Sequence, residues 1–303
     1  MLTVVGCSGV PSVPLLARTP PKTLTATEAS RGVQGTIYFA QGNRIWRLRK
    51  GGLAAVTPAG QRYAYPAASA GGEVTAAVYI ADGQSAIAYG GPDFSNLAPL
   101  TALPRDPHKG SLDIKPALSP DGARIAFLSD RAQGFVDEAV WEGPVKGRAH
   151  QVSFPPDASG GDDAPAYSAD GKTLTFVAWR DNHAGLDQAA IPLGRPKSVA
   201  KPTDHDIMDP APGPSGELAF TQRQGEAENI FLGTADGSAA KGLTTFNDCR
   251  QPAWSPDGTN LLFISPHSGT FDLWMVPIAG GDPVRLTAGA DLDANSRPAW
   301  LAT

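Results

Sequence analysis

The dipeptide Pro-Ala returns six times, at Pro66, Pro116, Pro165, Pro210, Pro252 and Pro298, at intervals of 50, 49, 45, 42 and 46 residues. A period of this size decides architecture, because each period is one supersecondary unit that buries its apolar surface against the next. The units read "YPAASAGGEVTAAVY", "KPALSPDGARIAFLS", "APAYSADGKTLTFVA", "DPAPGPSGELAFTQ", "QPAWSPDGTNLLFIS" and a truncated "RPAWLAT". After the first strand, Asp121-Gly122, Asp170-Gly171, Ser215-Gly216 or Asp257-Gly258 makes a tight turn, where glycine accepts backbone angles that other residues avoid. The second strand ("RIAFLS", "TLTFVA", "ELAFTQ", "NLLFIS") is apolar on both faces. A longer turn ending at Asp137, Asp187, Asn229 or Asp272 precedes a third strand, and a second glycine turn leads to an outer strand. The four acidic or amide residues recur once per unit and read as turn caps.

A lone four-stranded sheet cannot cover two apolar faces, so the sheets must stack, and radial stacking makes a β-propeller. Five units are complete. Ahead of them, "GTIYFAQGNRIWRLRKGGLAAVTP" at residues 35–58 matches strands two, three and four and lacks strand one. The terminal "RPAWL" supplies it. The expected fold is therefore all-β: a six-bladed propeller over residues 34–303, made of four-stranded antiparallel blades and closed by the C-terminal strand joining the N-terminal blade.

Composition fits this reading: Gly 34 and Pro 28 suit a chain of short strands and tight turns. Lys and Arg number 25 against 30 Asp and Glu, without a basic run to clamp phosphates, which argues against nucleic acid as a partner. The two cysteines, Cys7 and Cys249, are too few for a disulfide framework and lack zinc-site spacing. Cys249 reads as a buried apolar residue. Cys7 follows "LTVVG" and resembles the lipobox of bacterial lipoproteins, so it is a candidate lipidation site at the end of a leader that starts upstream. Residues 8–33, rich in Pro, Ser and Thr, read with it as a signal remnant and linker (1–33). No segment has the ~18–20 apolar residues needed to span a bilayer.

The string "PAWSPDG...LLFIS...DLWMVPIAGGDPVRLT" from Pro252 to Thr287 resembles the TolB-like propeller repeats of bacterial periplasmic proteins, repeats shared by the propellers of tricorn and prolyl-oligopeptidase-type peptidases. The resemblance covers residues 35–303 and weakens in the second and fifth units. It implies the propeller fold and a periplasmic or cell-surface location. TolB proteins bind a peptidoglycan-associated lipoprotein at the channel mouth, with an α/β domain ahead of the propeller. The peptidase propellers come with an α/β-hydrolase domain, and "GPSGE" at Gly213–Glu217 lacks the final glycine of a nucleophile elbow.

In a propeller the outer-to-inner connections open onto one face. Those ahead of each Pro-Ala carry Asp113; Asp162 and Asp163; Asp204, His205, Asp206 and Asp209; Asp248; and Asp291 and Asp293, while the connection before Pro66 offers Arg62. Converging there, these carboxylates would focus negative potential and favour a basic peptide or a cation such as Ca²⁺. The loops between second and third strands share this face and bring Arg131, Arg180, His183, Arg223 and His267. Tyr167, Trp254 and Trp300 share a repeat position and read as packing residues near the channel. The leading expectation is a non-enzymatic, monomeric, exported propeller, lipid-anchored if Cys7 is modified, that binds a protein or peptide at an acidic mouth. The alternative is a lactonase- or lyase-like enzyme with a divalent cation in the channel.

Overall fold

The computed structural model describes residues 23–81, 84–101, 111–131, 137–156, 160–192, 194–201 and 204–302. Among these residues it holds six four-stranded antiparallel sheets, a two-stranded ribbon and two short 3-10 helices, Glu28–Gly32 and Pro92–Phe94. Blade 1 is built from both ends of the chain: Ala299–Leu301 is its innermost strand, followed outward by Thr36–Gln41, Arg44–Arg49 and Gly52–Ala55. Blade 2 runs from Arg62–Ala68 at the channel to Ser95–Pro99, and blade 3 from Asp113–Leu118 to His150–Gln151. Blades 4, 5 and 6 begin at Asp162–Tyr167, Asp206–Pro212 and Arg250–Trp254 and end at Lys197–Ala200, Lys241–Gly242 and Val284–Arg285.

Apolar side chains from adjacent blades meet in every gap of the ring. Ile37, Phe39 and Leu48 of blade 1 pack with Leu262, Ile264 and Leu273 of blade 6, so the closing interface is as apolar as the others. Phe39, Phe127, Phe176, Phe220 and Phe263, each the fourth residue of its second strand or one step from it, are essentially inaccessible to solvent. In blade 2 the corresponding residue is Ala76, which clusters with Phe94 and Tyr38.

Proline explains the form of the innermost strands. Lacking an N–H, it sits in a sheet only at an edge or a bulge. Here it has both, since the innermost strand borders the channel and its pairing slips one residue at Pro-Ala in blades 2 to 6. In blade 3, for instance, Ala117 faces Ala126 and Ile114 faces Leu128, so two residues oppose Phe127. The residue before each proline, Tyr65, Lys115, Ala164, Asp209 or Gln251, takes a left-handed φ of 48–57°. That geometry is costly for a non-glycine residue and is disfavoured ahead of proline.

The ring closes by antiparallel pairing of Thr36 with Leu301, Ile37 with Trp300 and Tyr38 with Ala299. Trp300 donates its indole N–H to the Gln34 carbonyl at 2.7 Å, and the Asp293 amide donates to the Ala40 carbonyl at 3.1 Å. A second tie lies at the rim. Thr25–Ala26 pairs with Thr287–Ala288, Thr27 donates through its hydroxyl to Arg285 at 2.7 Å, and Ser30 and Val33 are buried. Residues 23–33, at the end of the expected linker, are thus laid on the ring. Cys7 lies outside the described residues, and among those residues no helix is long and apolar enough to cross a membrane.

Gly35 sits under the closing strand with φ +90°, and a Cβ there would meet the Leu301 carbonyl oxygen at 2.1 Å. Gly35→Val is expected to lower stability by roughly 2–4 kcal/mol in denaturant unfolding. Gly225→Ala, at φ +61° with open space around it, should cost only about 1 kcal/mol.

Candidate functional site

Connections between blades are pinned at the face where the innermost strands begin. A backbone bond joins each blade's third strand to the start of the next innermost strand in most of the ring: Tyr63 N–H to the Asn43 carbonyl, Ser85 to Ser111, Asp162 to Glu138 and Cys249 to Glu228, at 2.8–3.1 Å. Between blades 4 and 5, the Ala184 amide donates instead to the Asp206 carboxylate at 2.9 Å. The described parts of the mouth are thus tied from blade to blade.

On this rim the expected acids and the expected bases turn out to be each other's partners. Asp113 is fully buried and accepts from Arg131 at 2.5 Å and from the Ser129 hydroxyl at 2.6 Å. Arg180 reaches Asp162 at 3.4 Å, and Arg223 pairs with Asp206, its Nε at 3.0 Å. In each blade the acid opens the innermost strand and the base ends the second strand or follows it, so adjacent strands bring the two together. Arg131 also lies over the Phe127 and Trp141 rings at 5.2 and 5.1 Å, and Arg223 over Trp179 at 5.7 Å. Blade 2 has no acid here, and Arg62 stands 4.0 Å over the Tyr79 ring.

The repeat position of Asp113, three residues ahead of the proline, is filled in blade 4 by Asp162 rather than Asp163, and Asp206 stands one residue further ahead of its own proline. Asp163 turns inward and accepts Lys115 Nζ from blade 3 at 2.7 Å on both oxygens. Asp209 is buried in the channel wall, where it accepts from Thr221 at 2.9 Å and from the Gln251 side chain at 2.8 Å. Asp248 accepts from Arg250 at 2.7 Å, and the same guanidinium reaches Glu228 at 2.7 Å. Asp293 accepts from the Asn295 amide at 3.2 Å. His183 sits 3.3 Å from Asp206 through Nδ1, and exposed His267 stacks on Phe246 with centroids 3.8 Å apart.

The channel entrance is a cavity of about 200 Å³ walled by Lys115, Arg223 and Arg250 and by Asp163, Asp209 and Glu228, with Trp179, Met208, Gln251 and Asn295 between them. Three cations face three carboxylates. The expected surplus of negative charge is therefore not what this entrance presents, because folding sets Asp163 beside Lys115 and Glu228 beside Arg250, while Asp209 is taken up by Thr221 and Gln251. Beyond it the channel opens into a cavity of about 240 Å³ lined by the Pro-Ala ring, Tyr167, Trp254 and Trp300. Tyr167 donates to Glu142 at 2.9 Å, and Trp254 donates to the Ala211 carbonyl at 2.8 Å. Among the turn-cap residues, Asp272 is fully buried and gathers Arg285, Thr287, Ser268, Thr270 and the Ala290 amide. Asn229 accepts from Thr244 and from the Asn247 amide.

Among the described residues there is no group of three or more His, Cys, Asp or Glu side chains placed to hold a metal ion. A channel cation, and with it the lactonase-like alternative, is not favoured.

The architecture now has known counterparts. A TolB from Acinetobacter baumannii superposes with a TM-score of 0.69 over 89% of this chain and 67% of its own, at 14% identity. A TolB-assigned protein from Agrobacterium tumefaciens does so with 0.65 over 87% and 93%, at 16% identity. In sequence, the Protein TolB homolog of Chlorobium luteolum is 26% identical over 166 residues, 53% of this chain. This chain is a six-bladed propeller similar in fold to those of TolB proteins. Its match spans 35% of the Chlorobium relative's length. No family model matches the chain.

Sequence reasoning singled out Asp209 but missed the other residues that line this channel, Tyr65, Lys115, Ala164, Gln251 and Arg297. They stand immediately before each Pro-Ala, and the signal was available: a proline inside a strand demands a bulge, and the bulge turns the preceding side chain to the axis.

Burial pushes the Asp162 carboxyl up to about 6, against the opposing pull of Ser153 and Arg180. A carboxyl raised in the folded state binds its proton more tightly there than when unfolded. Its contribution is therefore full below pH ~4 and is lost as pH rises through about 6. Asp162→Asn should remove that component, so that native minus variant stability falls by on the order of 2 kcal/mol between pH 4 and 7 in urea titrations.

Proposed function

We propose that this chain is an exported bacterial binding protein whose propeller docks a protein or peptide partner on its mouth face. In this reading it resides in the cell envelope and acts as a monomeric ring, with Cys7 as the point of lipid attachment. The observation that carries the proposal is the make-up of that face. Where the innermost strands begin, the described residues are tied by backbone bonds and ion pairs, which lowers the entropic cost of ordering them on association. On this rim stand exposed groups of the kind that anchor interfaces: Phe154 at 72% exposure, the His267 ring stacked on Phe246, and the half-exposed side chains of His183 and Arg180. Phe154 lies in the connection from blade 3 to blade 4, and His267 in the second-to-third-strand loop of blade 6, so both belong to the mouth. The TolB-like architecture supports the same use of the face.

The acids expected at the mouth enter this reading as supports for the rim. Asp113, Asp163, Asp206, Asp209 and Asp248 hold Arg131, Lys115, Arg223, Gln251 and Arg250 in place. The balanced charge favours a partner with mixed polar and aromatic contacts over a purely basic one.

A photo-crosslinking residue placed at 154 or 267, in a chain incubated with envelope extract of its own cell, is expected to capture one discrete protein. The same probe at Val284, an exposed apolar position on the outer rim, should capture none. Combining Phe154→Ala with His267→Ala should weaken capture at least ~tenfold without lowering the melting temperature. Equal labelling from positions 154, 267 and 284 would remove the mouth as the docking face.

A further inference from the structure

Six side chains that precede a Pro-Ala stand around the channel, one per blade: Tyr65, Lys115, Ala164, Asp209 and Gln251, set by the bulges of blades 2 to 6, and Arg297 ahead of the unbulged closing strand. Five need nothing more. Lys115 is matched by Asp163, Asp209 by Gln251 and Thr221, Ala164 is apolar, and the Tyr65 hydroxyl interacts with Tyr79.

Arg297 is different. Its Nε and Nη2 are buried and have no hydrogen-bond partner among the described residues. Asp209 and Asp163 act on it through charge without bonding to it, and burial pulls its pKa down although an arginine stays protonated. Charged donors left unpaired away from water are among the costliest features a core can hold, so such a group points to a ligand. Nε and Nη2 lie along one edge of the guanidinium, spaced to take both oxygens of a carboxylate. Arg297 lines the cavity, and taking a ligand there requires its terminal torsions to turn that buried edge toward the space.

The rest of the cavity restricts what can follow the anion. Its walls are mostly prolines and alanines with Tyr65, Tyr167, Trp254 and Trp300, which accept apolar and aromatic groups, while Lys115, Gln251 and Asn295 line it where it meets the entrance, and its volume of about 240 Å³ suits a small acid or one terminal residue of a peptide. The nearby Asp163 and Asp209 would repel a second negative charge, which disfavours phosphate dianions. We propose that the central channel is a receptor site for monocarboxylates with an apolar body. The Arg297 guanidinium takes the carboxylate, and the wall of Trp254, Trp300 and Tyr167 takes the apolar part. The site is independent of any partner docked on the mouth face.

Trp254 and Trp300 line the cavity, so tryptophan fluorescence of the purified chain reports occupancy, with calorimetry as a second readout. Four probes separate the possibilities: acetyl-Ala-Phe with a free carboxylate, its C-terminal amide, benzoate and inorganic phosphate. At least one of the two acids should bind saturably below ~10 mM, with the amide and phosphate at least ~tenfold weaker. Arg297→Gln should lose at least ~tenfold in acid affinity while melting no lower than the native chain, since it removes a buried unpaired charge. Binding of the peptide acid alone assigns the site to a chain terminus, and binding of benzoate alone assigns it to a free acid. The proposal is overturned if neither acid binds, if the amide binds as well as the acid, or if Arg297→Gln binds as the native chain does. Should that variant fail to fold, the comparison of acid with amide on the native chain decides the matter.

Discussion

A four-stranded sheet that is apolar on both faces must be covered twice, and everything else in this molecule follows from how that is achieved. Each blade is roofed by the next, so the arrangement is stable only when the last blade covers the first. The cluster joining Ile37, Phe39 and Leu48 to Leu262, Ile264 and Leu273 meets that demand, and the three pairs from Thr36–Leu301 to Tyr38–Ala299 hold it shut. Closure through strand pairing also removes an exposed sheet edge where the two ends of the chain meet. The second tie, Thr25–Ala26 on Thr287–Ala288, reinforces the same junction from outside.

One residue type links this fold to its channel. Proline in the innermost strand needs no ladder partner, so it is tolerated at the channel edge, and the bulge it occupies accommodates the buried phenylalanine opposite. The same bulge rotates the preceding residue into the left-handed region and toward the axis. The proline thus serves the packing, and its neighbour is left free to vary: Tyr65, Lys115, Ala164, Asp209, Gln251 and Arg297 share a position without sharing a chemistry. A repeat that is uniform in its scaffold carries a ring that is heterogeneous by design of its backbone.

Much of the architecture was legible in the sequence because its determinants are local. The Pro-Ala period gave the blade count, the Asp-Gly turns gave the first hairpins, and residues 35–58 lacking a first strand located the closure. The site was less legible because its determinants are differences between strands. Asp113 and Arg131 lie 18 residues apart, as do Asp162 and Arg180, and a spacing of that kind shows its meaning only once a hairpin and a bulge set the register. Acids and bases counted separately suggested a negative mouth, whereas antiparallel pairing neutralises them against each other. The docking of Ser30 and Val33 on the ring was hidden for the opposite reason, since that short segment has no periodicity of its own.

The central claim is that the two ends of the chain form one blade. Ending the chain at Ser296 removes the innermost strand of blade 1 and uncovers Ile37 and Phe39, while leaving the other five blades untouched. Hydrogen exchange across Thr36–Gln41, followed together with thermal melting, tests this directly. The account predicts that protection of these amides collapses and that the melting temperature falls by roughly 10 °C. A truncated chain that keeps its protection there and melts with the full one would contradict it.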